Sequence, residues 1–365
     1  MKALVCAVAV ALAALTETAG AAGEQSIKDR YQLEEAAAPV SERAGWKKPK
    51  KILLVGSSPE MVGELKALAP GVEVVRADNA LHARTLAKDA DALIGTCAPN
   101  IIEAGKSIRW IQVLSAGVEE CVAIPAIRER DILVTNMQRI MGPVIGEHVI
   151  GMMLAMTRRL DAFIPSQHER DWRPEVAEGR LTVVQGKTML VVGLGGIGSE
   201  IAKRAHALGM RVIATRASGR SGPDFVTYVG LPDELLELAR EADVVVNATP
   251  LTPQTTGLFD AEFFAKMKPT AYFINIARGR SVVTAALVDA LKNGKIAGAG
   301  LDVTDPEPLP ADHELWTFKN VVITPHVSAR SDLGFSAQME VVKENVRRYA
   351  LGERMLSIVD VGKGY

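Results

Sequence analysis

The chain has 365 residues, which is enough for about two domains of ordinary size and a substantial buried core. Its 42 Lys and Arg residues nearly balance 43 Asp and Glu residues, and the net charge of −1 argues against a protein that coats nucleic acid. A hydrophobic content of 48% with 23% charged residues excludes extensive disorder. Three cysteines exclude a disulfide-stapled scaffold, and no His/Cys spacing predicts a metal site.

The N-terminal residues have the pattern of a targeting segment. Lys2 is followed by an uncharged apolar run, Ala3–Leu15, and Ala19-Gly20-Ala21 fits a small-x-small cleavage site. This pattern predicts a secretory signal peptide over residues 1–21 and a periplasmic or otherwise exported protein. The apolar run is too short to span a bilayer, so we expect no integral membrane anchor. The alternative interpretation is an Ala-rich helix of a cytoplasmic protein.

The segment at 22–50 is charged and interrupted by Pro39 and Pro49, and we interpret it as a leader or linker. After it, short apolar runs alternate with helical patterns along the rest of the chain. The runs are aliphatic or β-branched and end at turn-forming residues, as strands do. A first series comprises Ile52–Val55, Val72–Val75, Ala92–Ile94, Trp110–Leu114 and Ile132–Val134, and a second comprises Met189–Val192, Arg211–Thr215, Val244–Asn247, Ala271–Ile276, Gly300–Val303 and Val321–Thr324. Strands that alternate with helices predict an α/β protein with parallel sheets. Between the two series, the apolar segment Gly146–Leu160 predicts a buried helix that joins two domains.

A glycine-rich loop follows the strand Met189–Val192 and opens a helix. Its sequence is Gly193-Leu194-Gly195-Gly196-Ile197-Gly198, and a further strand follows the helix. In that context the loop predicts a dinucleotide-binding site. The first glycine allows the tight turn, Gly195 lets backbone amides approach the pyrophosphate at the helix N-terminus, and Gly198 lets the helix pack closely on the strand.

The end of the next strand bears on the choice of cofactor. An NAD-binding site places a carboxylate there for the ribose 2′-hydroxyl, but this strand continues into Arg216, and no acidic residue occurs before Asp224. Arg216, with Ser218 and Arg220, suits a 2′-phosphate instead. The sequence therefore favours NADP(H), with NAD(H) as the alternative.

Three ionisable residues follow strands of the second series. Arg278, Glu307 and His326 each lie where a parallel strand ends, which is where active sites of open α/β sheets lie. Reduction of a carbonyl requires a proton donor, for which histidine suits because its pKa lies near neutral. Arginine suits an anionic substrate because its planar fork binds a carboxylate. A carboxylate beside the histidine favours the imidazolium form.

At this point the sequence resembles the D-isomer-specific 2-hydroxyacid dehydrogenases over about Lys50 to Gly352. The resemblance rests on several motifs in order, namely Ser115-Ala116-Gly117-Val118, Gly146-Glu147-His148, the glycine loop, Pro250-Leu251-Thr252-Pro253-x-Thr255, the segment around Arg278, Leu301-Asp302-Val303 with Glu307, and Thr324-Pro325-His326. Arg216 in place of the family's usual Asp is similar to the glyoxylate/hydroxypyruvate reductases that prefer NADP.

The resemblance implies a role for each matching residue. His326 would be the general acid/base, Glu307 would keep it protonated, and Arg278 would hold the substrate carboxylate and carbonyl. The backbone amides of Ala116 and Gly117 would help to bind that carboxylate. The residues implied to contact the cofactor beyond the glycine loop and the Arg216 segment are Thr249, Pro250, Ala277 and Asp302.

The resemblance also implies two Rossmann-like or flavodoxin-like parallel-sheet domains, with the cofactor domain inserted into the substrate domain. The substrate domain would comprise residues 51–145 and 328–365, and the dinucleotide-binding domain residues 146–327. We expect a small 2-keto or 2-hydroxy acid as substrate and a homodimer as the assembly. Met141 and Trp172 are candidates for the substrate pocket.

Two other functions on this fold stay open from the sequence. A formate-type dehydrogenase resembles the family but has Gln where Glu307 stands, because formate oxidation needs no protonated histidine, so Glu307 argues against it. A corepressor-type protein that senses NAD(H) by binding keeps all three ionisable residues, but a signal peptide at residues 1–21 argues against it. Turnover of a 2-keto acid would separate an enzyme from such a sensor.

Overall fold

The computed structural model describes residues 26–177, 181–332 and 334–364. The predicted signal peptide at residues 1–21 lies outside the described residues. Within them, none of the helices combines the length and the apolar character needed to cross a membrane.

The strands of the described residues form two sheets in which every strand pairing is parallel. The first sheet contains β1 (Lys51–Val55), β2 (Glu73–Ala77), β3 (Ala92–Ile94), β4 (Trp110–Gln112) and β5 (Leu133–Thr135), in the order β2-β1-β3-β4-β5. The second contains β6 (Thr188–Val192), β7 (Arg211–Thr215), β8 (Tyr228–Gly230), β9 (Val244–Asn247), β10 (Tyr272–Asn275), β11 (Gly298–Leu301) and β12 (Val321–Ile323), in the order β12-β11-β10-β9-β6-β7-β8.

Helices connect the strands and cover both sheets. In chain order the described α-helices are α1 (Ile27–Arg30), α2 (Pro59–Leu68), α3 (Ala80–Leu86), α4 (Pro99–Ala104), α5 (Glu119–Val122), α6 (Pro125–Glu129), α7 (Gly142–Thr157), α8 (Leu160–His168), α9 (Gly196–Ala207), α10 (Leu235–Glu241), α11 (Ala261–Lys266), α12 (Thr284–Lys292) and α13 (Gly334–Leu351). Short 3-10 turns lie at Val40–Glu42, Ala87–Asp89, Pro174–Ala177, Pro232–Glu234, Gly279–Ser281 and Glu314–Thr317.

The predicted α/β class with two parallel sheets is confirmed, and each strand series builds one sheet. The sequence missed β8, a three-residue edge strand that pairs with β7. It placed β11 at Gly300–Val303, two residues too late, because Gly298 does not look like a strand residue. Gly300 suits this strand because α7 packs on it so closely that a Cβ there would press on Met152 and Met156.

Helix α7 is the buried apolar helix that the sequence predicted, but it begins at Gly142 and ends at Thr157 rather than spanning Gly146–Leu160. Val149, Met153 and Met156 are buried, and the helix packs on α9 and on β10, β11 and β12. The methionines fill the irregular space against the sheet. The chain therefore passes from the first sheet to the second along a helix that belongs to the second.

Residues 26–50 correct the interpretation of that segment as a leader or linker. Leu33 and Val40 are buried, and Glu35 forms an ion pair with Arg348 of α13 at 2.6 Å. The Ala36 N–H also donates to the Met355 carbonyl. The charges looked like those of a linker because partners such as Glu340 for Arg30 and Arg348 for Glu35 lie far away along the chain.

The C-terminal helix α13 returns to the first sheet. It packs on α2, and Asn345 donates to the Gln112 side chain of β4 at 2.8 Å. An isolated bridge joins Thr135 of β5 to Ile358. The second sheet is therefore inserted between two segments that pack together, and the exact domain boundaries at 145/146 and 327/328 stay a prediction.

Candidate active site

A cleft lies between the two sheets, at the carboxyl ends of the strands of the second sheet. One lobe, of about 830 Å³, is lined by residues from both sheets, among them Ser115, Glu119, Arg278, Glu307 and His326. A second lobe shares Arg278 and His326 and is also lined by Ala116, Gly117, Gly195, Gly196, Ile197, Thr249, Pro250 and Ala277. The three ionisable residues singled out in the sequence therefore line one cleft with the glycine loop.

His326 and Glu307 form a hydrogen-bonded pair. The His326 Nδ1 atom lies 2.6 Å from the Glu307 Oε1 atom, and both side chains are partly exposed, at 48% and 40%. This contact engages Nδ1 and leaves Nε2 as the ring nitrogen available to a ligand. His326 has a φ of 53°, a left-handed conformation that costs a non-glycine residue about 1–2 kcal/mol. Strained backbone of this kind persists only where surrounding contacts hold it.

Asp302, at the end of β11, supplies those contacts. Its backbone carbonyl accepts the His326 N–H at 2.8 Å. Its buried carboxylate accepts the N–H groups of Val327 and Ser328 at 2.9 and 3.0 Å and the hydroxyl of Thr324 at 2.7 Å. Burial would raise the pKa of Asp302, but these hydrogen bonds outweigh it and hold the pKa below its usual range. Asp302 therefore stays a carboxylate and fixes the loop that carries His326.

Arg278 follows β10 and is brought beside the Glu307 segment by a close backbone approach. A Cβ at Gly279 would collide with the Thr304 carbonyl group, so only glycine permits this approach. The Arg278 carbonyl accepts the Asn275 side-chain amide at 3.0 Å and the Ser281 hydroxyl at 2.6 Å. The backbone of Arg278 is thereby fixed to the end of its own strand.

The Arg278 guanidinium reaches across the cleft to the first sheet. Its Nε–H donates to the Glu119 carboxylate, and its Nη2 lies where a Cβ of Gly117 would be. Burial raises the pKa of Glu119, but the hydrogen bond and charge of Arg278 more than offset this and the pKa lies below its usual range. Glu119 therefore occupies the Nε edge of the guanidinium, and Nη1 donates to the Ala277 carbonyl at 2.8 Å.

The Ser115–Gly117 loop presents free backbone amides to the cleft. Asn136 donates to the Ala116 carbonyl at 2.7 Å, and the Ser115 hydroxyl donates to the Gly117 carbonyl at 2.7 Å. Within the described part of the chain, neither the Ala116 nor the Gly117 N–H donates to a protein acceptor. Two donors beside a guanidinium form a site that suits an anion.

The glycine loop fits a dinucleotide. Gly193 has a φ of 97°, and a Cβ there would press on the Ala248 carbonyl group of the neighbouring strand end. A Cβ at Gly198 would collide with the Gly193 carbonyl, which explains the close packing of α9 on β6. A Cβ at Gly195 meets nothing within 4 Å, so open space adjoins the N-terminus of α9. That space, beside exposed helix amides, is where a pyrophosphate would be held.

Of the two arginines that follow β7, Arg216 and Arg220, only one forms an ion pair in the described structure. Arg216 donates to the Ser218 hydroxyl at 2.8 Å and to the Ser221 carbonyl at 2.9 Å. Arg220 instead forms an ion pair with Glu234 at 2.7 Å. Hydrogen bonds from the Leu231 N–H, the Tyr228 hydroxyl and Arg220 lower the pKa of Glu234 to about 2. The charge of Arg220 is therefore already matched by a carboxylate, whereas Arg216 has no such partner among the residues that the structure describes.

Comparison with known proteins identifies this arrangement. Residues 150–328 match the NAD binding domain of the D-isomer specific 2-hydroxyacid dehydrogenases. A glyoxylate reductase of Thermofilum pendens is 34% identical over 281 residues, covering 75% of this chain and 82% of that protein. The chain belongs to the D-isomer specific 2-hydroxyacid dehydrogenase family. It is an NAD(P)-dependent oxidoreductase, and the family resemblance of the sequence is confirmed.

Solved structures agree with this assignment. A crystal structure of a D-isomer specific 2-hydroxyacid dehydrogenase family protein from Aeromonas salmonicida superposes with a TM-score of 0.75 at 31% identity, covering 86% of this chain and 100% of that one. An NADPH-dependent glyoxylate/hydroxypyruvate reductase from Sinorhizobium meliloti, crystallised with NADP and sulfate, gives a TM-score of 0.72 at 27% identity. The aligned region covers 87% of this chain and 100% of the reductase chain.

Sequence reasoning missed parts of this dehydrogenase's cleft. Glu119, the partner of Arg278, and a disulfide between Cys97 and Cys121 both line it. Neither has a local sequence signal, because each contact joins distant segments. Of the two pocket candidates, Met141 lines the glycine-loop lobe, but Trp172 is 95% exposed and is absent from both described lobes.

Asp302 yields a prediction about stability. In Asp302→Asn the amide NH₂ would face backbone donors, and one lost buried acceptor costs about 1–3 kcal/mol of unfolding free energy. Because the pKa of Asp302 is lowered on folding, its contribution is present above the usual carboxyl pKa of about 4 and is lost as pH falls through the lowered value. The deficit should therefore be constant from pH 8 to pH 5 and shrink below pH 4 in urea unfolding.

The exposed Asp224 provides the matched control. Asp224→Asn should change the urea midpoint little at any of these pH values. Equal midpoints for Asp302→Asn and wild type at pH 7 would contradict the role given to this carboxylate.

Proposed function

We propose that this dehydrogenase reduces small 2-keto acids of the glyoxylate or hydroxypyruvate kind to D-2-hydroxy acids, with NADPH as the preferred cofactor. The observation that supports this most directly is the anion site beside the hydrogen-bonded histidine, formed by Arg278 and the free amides of Ala116 and Gly117. Relatives named glyoxylate reductase and glyoxylate/hydroxypyruvate reductase support the same substrate class.

In the proposed mechanism, the glycine loop and Arg216 would hold the dinucleotide, and Thr249, Pro250, Ala277 and Asp302 would also contact it. When bound, the reduced nicotinamide supplies the hydride. Arg278, Ala116 and Gly117 bind the substrate carboxylate and orient the adjacent carbonyl.

His326 provides the proton. With Nδ1 engaged by Glu307, Nε2 donates to the carbonyl oxygen as the negative charge develops there. Glu307 fixes the orientation of the ring through its contact with Nδ1. In the oxidation direction the neutral ring accepts the proton at the same atom.

The mechanism predicts different effects for the three residues. His326→Ala should lower kcat about 10²–10⁴-fold while substrate binding largely survives, because the proton donor alone is lost. Arg278→Ala should mainly raise KM, because it removes the charged partner of the carboxylate. Steady-state kinetics over a panel of glyoxylate, hydroxypyruvate and phenylpyruvate, with NADPH and NADH, measures both. Near-wild-type turnover by His326→Ala, or no turnover of any 2-keto acid by wild type, would contradict the proposal.

Glu307→Gln tests the pair through kcat in both directions. Reduction needs protonated His326, so its rate should fall as pH rises, and oxidation should rise over the same range. Gln keeps the shape of the side chain but replaces the charged acceptor beside Nδ1 with a neutral one, so kcat in both limbs should fall by roughly tenfold, while their position on the pH axis is not the readout. Exposed Glu262 of α11 offers a control, since Glu262→Gln should leave kcat unchanged in both limbs. An unchanged kcat in Glu307→Gln would refute the role of this carboxylate.

The preference for NADPH is supported by Arg216 and its contact with Ser218. Arg216→Asp should shift the preference toward NADH, since a charge-assisted contact is worth about 1.5–3 kcal/mol, or roughly 10- to 100-fold in kcat/KM. Arg220→Ala is the matched control and should shift the preference less, because Arg220 is already paired with Glu234. A wild type with the higher kcat/KM for NADH would overturn this assignment.

We also propose that the protein is exported and forms a homodimer. Export is supported by the sequence of residues 1–21 and by the Cys97–Cys121 disulfide, since disulfides persist in oxidising compartments. A dimer is supported by exposed apolar side chains on and after α8, namely Leu160, Ile164, Trp172, Leu181 and Val183. The proposed occupant of this surface is a second copy of the chain.

Native and denaturing mass spectrometry of the protein from its own host would test both proposals. We expect a chain that lacks residues 1–21 and a native mass of two such chains. An intact N-terminus in cytosolic protein would contradict the export proposal. A monomer at micromolar concentration would contradict the dimer proposal.

A further inference from the structure

The wall of the cleft contains a cystine that no step of the proposed mechanism uses. Cys97 and Cys121 are joined by a disulfide with a Cα–Cα distance of 5.3 Å, within the ordinary range for such bonds. Both residues line the same lobe as Arg278, Glu307 and His326. Cys121 is buried and Cys97 is half-buried, so the bond joins the apolar interior to the surface of the cleft.

One end of the disulfide is anchored to the first sheet. Cys97 follows β3 by way of Gly95, whose N–H donates to the Gln112 carbonyl of β4 at 2.9 Å. Gly95 has a φ of 103°, and a Cβ there would collide with the Val55 carbonyl of β1. The backbone two residues before Cys97 is therefore fixed on the sheet.

The other end holds a short helix that has little stability of its own. Cys121 lies in α5, a single turn of four residues that begins at Glu119. A helix of this length is not stable without tertiary contacts. Besides the disulfide, the described contacts of α5 with the rest of the fold include the buried side chain of Val118, the partly buried side chain of Val122, the packing of α5 against α6, and the ion pair of Glu119 with Arg278.

The disulfide therefore controls the position of the carboxylate-binding groups. Glu119 precedes Cys121 by two residues and holds the Nε edge of Arg278, and Gly117, with its free amide, lies against the same guanidinium. A shift of α5 would move Glu119 and Gly117 and, with them, the guanidinium of Arg278, whose backbone stays fixed on β10. The His326–Glu307 pair rests on β11 and β12 instead and would stay in place.

We propose that the Cys97–Cys121 disulfide is a positioning cross-link for the carboxylate site, so that the oxidised form binds 2-keto acids more tightly than the dithiol form. The proposal rests on the proposed function of the same cleft. A dithiol such as dithiothreitol converts one form into the other. One of its thiolates attacks the protein disulfide, its second thiol resolves the mixed disulfide, and the protein gains two electrons and two protons while the reagent becomes a cyclic disulfide.

The test compares kinetics of the purified full-length protein before and after reduction. Peptide mapping by mass spectrometry first establishes the linkage in each sample. With glyoxylate and NADPH, reduction should raise KM about 3- to 10-fold and change kcat less than about twofold, because the binding groups shift while the proton donor does not. Reoxidation should restore KM. If the cross-link only stabilised the fold, reduction would instead lower kcat, raise KM and weaken NADPH binding together. The near-UV circular dichroism signal would also decrease.

Two variants serve as matched controls. Cys97→Ala/Cys121→Ala should have the KM of the reduced protein and no response to the dithiol. In full-length protein that still carries residues 1–21, Cys6→Ser should respond as wild type does. An unchanged KM after complete reduction of wild type, or parallel loss of kcat, NADPH binding and circular dichroism, would overturn the cross-link proposal.

A second readout separates failure of this proposal from failure of the proposed function. Oxalate, a small dicarboxylate that requires no turnover, should bind the oxidised protein with an affinity about 3- to 10-fold higher than the reduced protein in calorimetry. If the oxidised protein turns over no 2-keto acid, the proposed function is wrong. The cross-link proposal is then still tested by comparing the oxalate affinities of the oxidised and reduced forms. Equal oxalate affinities in both forms would refute it.

Discussion

The ion pair between Arg278 and Glu119 joins the two sheets at the point where a substrate has to bind. Arg278 is fixed to the end of β10 in the second sheet, and Glu119 begins the helix that follows β4 of the first. The pair is partly buried, so each charge depends on the other, and loss of one would leave the other desolvated. The geometry of the carboxylate site is therefore a property of the contact between sheets and not of either sheet alone.

Close backbone approach makes this contact possible. Gly279 lets the end of β10 touch the Thr304 segment, and Gly117 leaves room for the guanidinium from the opposite side. A methyl group at either position would displace the groups that form the cleft. Asp302 has the corresponding role for His326, since one residue holds both the backbone N–H of His326 and the amides that follow it.

The elements and motifs that depend on local sequence could be predicted, and contacts between distant segments could not. Arg278, Glu307 and His326 were identifiable because parallel strands end at one edge of a sheet, so chain position alone placed them together. Glu119 was not, because nothing near it distinguishes an acidic residue that meets an arginine 159 positions away. The same limit applies to Cys97 and Cys121, and to Glu35, whose partner Arg348 lies 313 positions further on.

Misjudged details have a similar cause. The sequence predicted that Arg220 assists Arg216 at a 2′-phosphate, but Arg220 is paired with Glu234 whereas Arg216 contacts Ser218. Residues 26–50 looked like a linker because their apolar residues are few, yet Leu33 and Val40 are enough to attach the segment once α13 offers complementary charges. In each case the residue types were evident from the sequence, but their role depends on a neighbour that is distant along the chain.

The charges of the cleft explain why backbone amides are needed at all. When His326 is protonated, it and Arg278 carry two positive charges, and Glu119 and Glu307 carry two negative ones. These four charges therefore balance one another, and one edge of the arginine is already engaged by Glu119. The N–H groups of Ala116 and Gly117 stabilise the carboxylate without adding a charge that Glu119 or Glu307 would neutralise. Recognition thus depends on directed hydrogen bonds from a fixed loop, and the position of that loop matters more than the number of cations around it.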